Sequence, residues 1–234
     1  DVLITGRNNS FIRISKLYSN NGMGGFTEVI GTPFEGVSFS SIAFADVDGD
    51  TDQDVLITGQ NSSGVRNSKL YTNDGMGAFT EVIGTPFEGV AFGSIAFADV
   101  DGDTDQDVLI TGRNNLEVGI SKLYTNDGMS TFTEVMGTPF DGVISSSTAF
   151  KDVDGDQDQD VLITGRSLGV GISKLYTNDG MGGFTEVMGT PFEGVFFSSI
   201  AFADVEGDTD QDVLITGQSN SGALISKLYI NGTI

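Results

Sequence analysis

The chain has 234 residues, 38% of them hydrophobic, with 33 glycines and 33 acidic against 11 basic side chains, for a formal charge of −22. That charge argues against a phosphate-backbone partner or an anionic membrane surface, both of which need a basic patch. Cysteine and histidine are absent, which excludes disulfides, a histidine base, a Ser-His-Asp triad and the usual zinc centres.

The chain opens on DVLITG at Asp1, and the same six letters return at Asp54, Asp107, Asp160 and Asp212, at spacings of 53, 53, 53 and 52. A fixed period near 50 marks a repeat architecture. The expectation is a single repeat domain over 1–234. Because the chain begins inside a repeat, it reads as a piece of a longer polypeptide. There is no apolar run near 18 residues and no signal peptide.

Within one repeat, 41–89, four strands are expected in order. SIAFADV (41–47) and VLIT (55–58) are apolar on both alternating faces, as strands buried on both sides are. SKLYTN (68–73) is mixed, and FTEVI (79–83) alternates. Polarity is thus expected to rise from the first strand to the fourth. Turn sequences separate them: the aspartate run, QNSSGVRN (60–67), NDGMG (73–77) and GTPFEG (84–89). No segment has a 3.6-residue period. The expected fold is all-β, a β-propeller of four-stranded blades with about five repeats, either an incomplete ring or part of a longer array. Eighteen strands are counted, and a curved open array is the alternative.

Between first and second strands lie DVDGDTDQD (46–54 and 99–107), DVDGDQDQD (152–160) and DVEGDTDQD (204–212). Carboxylates fall at positions 1, 3, 5, 7 and 9. A short loop can fold such a set around one hard cation, and glycine at position 4 lets the backbone turn tightly. The plain alternative is a solvated acidic turn. An EF-hand is a poor match, because position 6 is Thr51, Thr104, Gln157 or Thr209 rather than glycine, position 12 is isoleucine, and no helices flank the loop.

The strand–DxDxDxxxD–strand arrangement, found four times, resembles the FG-GAP/VCBS repeat family of integrin-α-like propellers, and the resemblance covers essentially the whole chain. It implies calcium in each loop, with side chains at positions 1, 3, 5 and 9 and the carbonyl at position 7 as ligands. The implied sets are Asp46, Asp48, Asp50, Asp52 and Asp54; Asp99, Asp101, Asp103, Asp105 and Asp107; Asp152, Asp154, Asp156, Asp158 and Asp160; and Asp204, Glu206, Asp208, Asp210 and Asp212. About four calcium ions follow. Glu206 departs from the pattern, as does the missing glycine at position 6.

The repeats differ mainly in two windows, after the second strand (such as 7–14 and 60–67) and before the first (such as 38–40 and 91–93). In an up-down blade both lie opposite the aspartate loops, and loops on a rigid scaffold are where recognition usually sits. Arg7, Arg113 and Arg166 are equivalent there, and Phe11, Phe92, Phe196 and Phe197 are contact or packing aromatics. Asn8, Asn61 and Asn231 begin glycosylation triplets. Lys151 is read as a charge partner of its acidic loop.

The functional expectation is a non-catalytic, calcium-binding extracellular protein, adhesive or surface-structural as in a filament or sheath. Its partner would be an extracellular protein, a glycan, or further copies of the repeat, with no nucleic acid and no membrane insertion. The alternative is a carbohydrate-binding propeller lectin. An enzyme is not expected, because glycoside hydrolysis needs a unique carboxylate pair and here nearly every clustered carboxylate recurs in each loop.

Overall fold

A computed structural model describes residues 1–232, and among these there is no helix. The first repeat contributes β1 (Val2–Arg7), β2 (Arg13–Asn20) and β3 (Phe26–Glu28). The second contributes β4 (Ser38–Ala45), β5 (Asp54–Gln60), β6 (Arg66–Asn73) and β7 (Phe79–Glu81). The third has β8 (Val90–Ala91), β9 (Ile95–Ala98), β10 (Asp107–Asn114), β11 (Gly119–Asn126) and β12 (Phe132–Glu134). The fourth has β13 (Ile144–Lys151), β14 (Asp160–Ser167), β15 (Val170–Asn178) and β16 (Phe184–Glu186), and the fifth β17 (Val195–Ala203), β18 (Asp212–Ser219) and β19 (Leu224–Tyr229).

Each repeat is an antiparallel meander in chain order. In the second, Phe44 faces Val55, Val55 faces Tyr71, and Tyr71 faces Glu81. Single bridges tie each meander to the next, for example Ile14 to Val37 and Asn67 to Val90.

VLIT is apolar on both faces because each face meets a different neighbour. Leu3, Leu17, Val29 and Phe34 of the first repeat share one core with Val55, Ile57, Tyr71 and Phe79 of the second. The same letters recur in the next interfaces: Leu56, Leu70, Val82 and Phe87 with Val108, Ile110, Tyr124 and Phe132, then Leu109, Leu123, Val135 and Phe140 with Val161, Ile163, Tyr176 and Phe184. In each repeat the leucines therefore face the repeat that follows and the Val-Ile-Tyr-Phe set faces the repeat before. Phe34 meets the rings of Tyr71 and Phe79 edge-on, both at 5.0 Å. Burying each such side chain contributes about 1.5–3 kcal/mol, so the interfaces between repeats are the core of the molecule.

Two expectations change. In the second, third and fourth repeats the most buried strand is the second, not the first: all but the last residue or two of β5, β10 and β14 are buried, whereas Phe44 in β4 is 43% exposed. The second strand alone is covered by sheets on both faces along its length. Among the described residues the strand count is 19, not 18, because the third repeat's first strand is split. Corresponding strands carry a bulge there, between Ser38 and Ser41, Ile144 and Ser147, and Phe196 and Ser199. At Gly93 a side chain would run into the Thr111 carbonyl, and the backbone pulls so close that the ladder breaks.

Gly93 also interrupts a polar seam. Hydroxyls join successive repeats at Thr5–Ser40 (2.7 Å), Thr111–Ser146 (2.8 Å) and Thr164–Ser198 (2.8 Å). The glycine takes the serine's place opposite Thr58, whose buried Oγ1 is left without a partner.

Candidate metal centres

Each aspartate loop is shaped by its own carboxylates. Asp46 accepts the Gly49 N–H through Oδ1 (2.8 Å) and the Thr51 N–H through Oδ2 (2.9 Å). Asp99, Asp152 and Asp204 cap their loops in the same way. Position 6 holds a left-handed backbone in all four: φ is 76° at Thr51, 78° at Thr104, 80° at Gln157 and 80° at Thr209. Glycine is the residue that adopts this without cost, and a β-branched threonine there is strained. The strain is tolerated because the carboxylate at position 1 captures that residue's own N–H.

Position 9 is a clamp. Asp54 accepts the Val47 N–H (2.9 Å) and the Asn73 N–H (2.8 Å), joining the start of the loop to the end of the third strand. Asp107, Asp160 and Asp212 repeat the arrangement, each almost wholly buried. Position 7 turns elsewhere. The carboxylates of Asp52, Asp105 and Asp158 fill the space that a side chain at Gly75, Gly128 or Gly180 would need. Each thus packs under the Asn-Asp-Gly turn of its own repeat.

Three of the loops bring carboxylates together. One oxygen from each of Asp46, Asp48 and Asp50 lies within 4.8 Å of the others, and the same holds for Asp99, Asp101 and Asp107 and for Asp152, Asp154 and Asp160. That spread matches two ligands facing each other across one calcium ion at about 2.3–2.6 Å each. An all-oxygen, carboxylate-rich set suits a hard cation and not a soft one, so the residues present fit calcium. Asp54, Asp103 and Asp156 lie outside the tight trios of their loops, and among the described residues 204–212 form none.

Electrostatics agree. Burial pushes the carboxyls of Asp48, Asp101 and Asp154 above the ordinary range, and the next carboxylate along the loop adds repulsion. Asp54 and Asp107 are each pushed up to about 6, chiefly by burial, although each accepts two N–H groups. Burial and the neighbouring Asp208 raise Glu206. The backbone hydrogen bonds lower Asp204. Carboxylates packed this closely could hold a cation.

The FG-GAP-like repeat model matches residues 46–110, 99–163 and 152–215, each match opening on the first aspartate of a loop. The chain belongs to the FG-GAP-like repeat family. No curated protein sequence matches it. Among solved structures, a chain in the Photorhabdus luminescens Tc holotoxin pore is similar, at 18% identity and a TM-score of 0.45, over 92% of this chain and 10% of that one.

One recurring group in this FG-GAP-like chain escaped the sequence reading. Asn126 donates its side-chain amide to the Val47 carbonyl (2.9 Å), Asn178 to Val100 (2.8 Å) and Asn231 to Val153 (2.9 Å). Each asparagine belongs to one repeat and each carbonyl to the loop of the repeat before. The turn that follows adds a second bond, Ser130 N–H to Val47 and Gly182 N–H to Val100, both 2.9 Å. The loops are therefore held by two repeats at once. The signal was present, since asparagine closes every third strand at 20, 73, 126, 178 and 231.

Other candidate residues are placed as follows. Arg7, Arg113 and Arg166 lie over the rings of Phe39, Phe92 and Phe196, at 5.2–5.8 Å, which pairs the variable windows with each other. Phe39 stacks on Phe92 of the next repeat (4.1 Å), and Phe196 lies beside Phe197. Phe11 stands exposed at the tip of its turn. Among the described residues Lys151 forms no ion pair with its acidic loop, a correction to its reading as a charge partner. The paired lysines are instead those of the third strands, such as Lys122 with Glu134 in its own repeat and Glu88 in the repeat before. Asn8 and Asn61 cap their turns through Oδ1, and Asn61 also donates to Glu35. The triplet at Asn231 runs through Thr233, which lies outside the described residues.

Proposed function

We propose that this chain is a non-catalytic, calcium-binding scaffold of propeller blades that works outside the cell in adhesion or in a surface structure such as a filament or sheath. The observation that carries the reading is the carboxylate trio at the first-to-second strand loop, repeated in three loops and gripped by the following repeat. Asp46, Asp48 and Asp50 would hold one ion, with Asp54 behind them. Asp99, Asp101 and Asp107, and Asp152, Asp154 and Asp160, would hold two more, and 204–212 a fourth and weaker one. Bound calcium would supply positive charge where the three carboxylates of each trio converge. The protein's own groups orient the ligands through the position-1 cap and the position-9 clamp.

Support for blades of a propeller comes from the meanders, which stack face to face while first strands follow one another, β4 beside β9, β9 beside β13 and β13 beside β17. An environment rich in calcium would keep such sites filled, and no helix is long and apolar enough to cross a membrane. The partner would be an extracellular protein or glycan.

The test is thermal melting in excess calcium, in excess magnesium and in chelator. A large, reversible rise with calcium alone is expected, since a ligand that binds only the folded state stabilises it by mass action. Identical melts in all three would reduce the loops to acidic turns.

A second reading, a carbohydrate-binding propeller, is favoured by one shallow opening on the opposite face. Phe39, Phe92 and Phe197 surround it together with Ser40, Ser146 and Ser198. Ring faces beside hydroxyls suit a sugar. Calcium-loaded protein that bound nothing on a glycan array would remove this reading.

A further inference from the structure

The position-9 clamp and the asparagine grip share atoms, and together they run through all four aspartate loops without a break. Asp54 accepts the Val47 N–H through Oδ2 (2.9 Å), and the Val47 carbonyl accepts the side-chain amide of Asn126 (2.9 Å). The backbone N–H of Asn126 donates to Asp107 Oδ1 (2.8 Å), whose Oδ2 accepts the Val100 N–H (2.9 Å). The next repeat adds the same steps: Asn178 donates its amide to the Val100 carbonyl (2.8 Å) and its N–H to Asp160 (2.9 Å), which also accepts the Val153 N–H (2.9 Å). Asn231 carries the path on from the Val153 carbonyl (2.9 Å) to Asp212 (2.8 Å), which accepts the Val205 N–H (2.9 Å).

The path touches the candidate ligands directly. Val47 lies between Asp46 and Asp48, Val100 between Asp99 and Asp101, and Val153 between Asp152 and Asp154. Asp107 and Asp160 are themselves members of the trios. Asn126 and Asn178 are only 5% and 6% exposed, so bulk water does not compete for their bonds. The side-chain oxygen of each has no partner, which leaves the bond to the valine carbonyl to fix the amide. Hydrogen bonds linked in series at low local dielectric polarise and strengthen one another.

We propose that Asn126 and Asn178 are positioning residues that couple neighbouring metal sites, so that a calcium ion bound in one loop raises the affinity of the next. The proposal rests on the calcium reading above. An ion held by Asp46 and Asp48 fixes the Val47 peptide group between them. That group holds the Asn126 side chain, and the Asn126 N–H orients the Asp107 carboxylate toward Asp99 and Asp101. The second ion then meets a site that is already ordered and binds more tightly for it. Coupling of this kind is reciprocal, so the 99–107 loop strengthens the 46–54 loop by the same factor.

The experiment is a double-mutant cycle read by calorimetric titration of the whole chain with calcium chloride. Asp48→Asn silences the 46–54 loop, and Asn126→Ala removes the link while leaving every carboxylate in place. Circular dichroism in chelator checks folding. In the parent, Asp48→Asn should cost one bound ion and weaken at least one of the remaining ions by about fivefold or more. In the Asn126→Ala background it should cost one ion and leave the others at their affinity. An asparagine that only braced the fold would lower the melting temperature in chelator and leave the effect of Asp48→Asn as it is in the parent. That result, or remaining ions that Asp48→Asn weakens in neither background, would overturn the coupling while sparing the metal sites. A parent that binds no calcium would overturn the coupling together with the reading it rests on. Should Asn126→Ala fail to fold, Asp101→Asn with Asn178→Ala tests the next link in the same way.

Discussion

Replacing Asp107 with asparagine separates the two jobs of its carboxylate. The side chain is 0% exposed, accepts the Val100 N–H at 2.9 Å and the Asn126 N–H at 2.8 Å, and supplies an oxygen to the trio with Asp99 and Asp101. Its carboxyl is held at about 6. An ordinary aspartate titrates near 3.9, so keeping Asp107 ionised at neutral pH without metal costs about 3 kcal/mol. Asparagine removes that cost. It keeps one acceptor and turns its NH₂ toward one of the two N–H donors, which loses about 1–3 kcal/mol. The two effects nearly cancel in chelator, leaving a net change within about 2 kcal/mol of zero. With calcium bound the cation already offsets the charge penalty, so asparagine brings only losses: the acceptor and an anionic ligand. Asp107→Asn should therefore lower the melting temperature far more in calcium than in chelator. At about 2–4 °C per kcal/mol for a protein of this size, a gap of several degrees is expected. Melting curves followed by circular dichroism in the two buffers measure it. An equal drop in both would mean that Asp107 is a backbone clamp and nothing more.

The metal-free protein should gain stability on mild acidification. Asp54 and Asp107 have folded values near 6, above their unfolded values, so their favourable contribution is present at low pH and lost as pH rises through about 6. In chelator the melting temperature should rise from pH 7.5 to pH 5, and a fall would contradict the buried clamp. Thr51→Gly should raise the melting temperature by a degree or more, since a left-handed conformation at φ 76° costs a β-branched residue about 1–2 kcal/mol and glycine offsets part of the gain through chain entropy. A loss would show that the threonine side chain makes a contact worth more than the strain. Leu109→Ala, at a sealed interface, should cost about 2–5 kcal/mol in denaturant unfolding. If the loss were below 1 kcal/mol, the interfaces between repeats would not be the core.

Much of the architecture was legible in the letters. DVLITG at a fixed spacing announced the repeats, and VLIT with apolar residues on both alternating faces announced a strand covered on two sides. The aspartate loops were legible because alternation of a charged residue between apolar strands has few physical uses. The division of labour inside the loops was not. Nothing local distinguishes Asp52, packed under Gly75, from Asp50, which joins the trio, since both are aspartates two residues apart. The strained φ at Thr51 runs against local preference and exists because Asp46 holds its N–H.

The sequence by itself determined the period, the all-β pattern and the place of the acidic loops, because these follow from local alternation and turn chemistry. Tertiary structure decided which face of each strand meets which neighbour, that Gly93 would break a strand and leave Thr58 without its hydroxyl partner, and that asparagines 79 or 78 residues away would hold the loops at Val47 and Val100. Those contacts join residues of adjacent repeats. Their geometry is set by how one sheet stacks on the next, which no single repeat of the sequence contains.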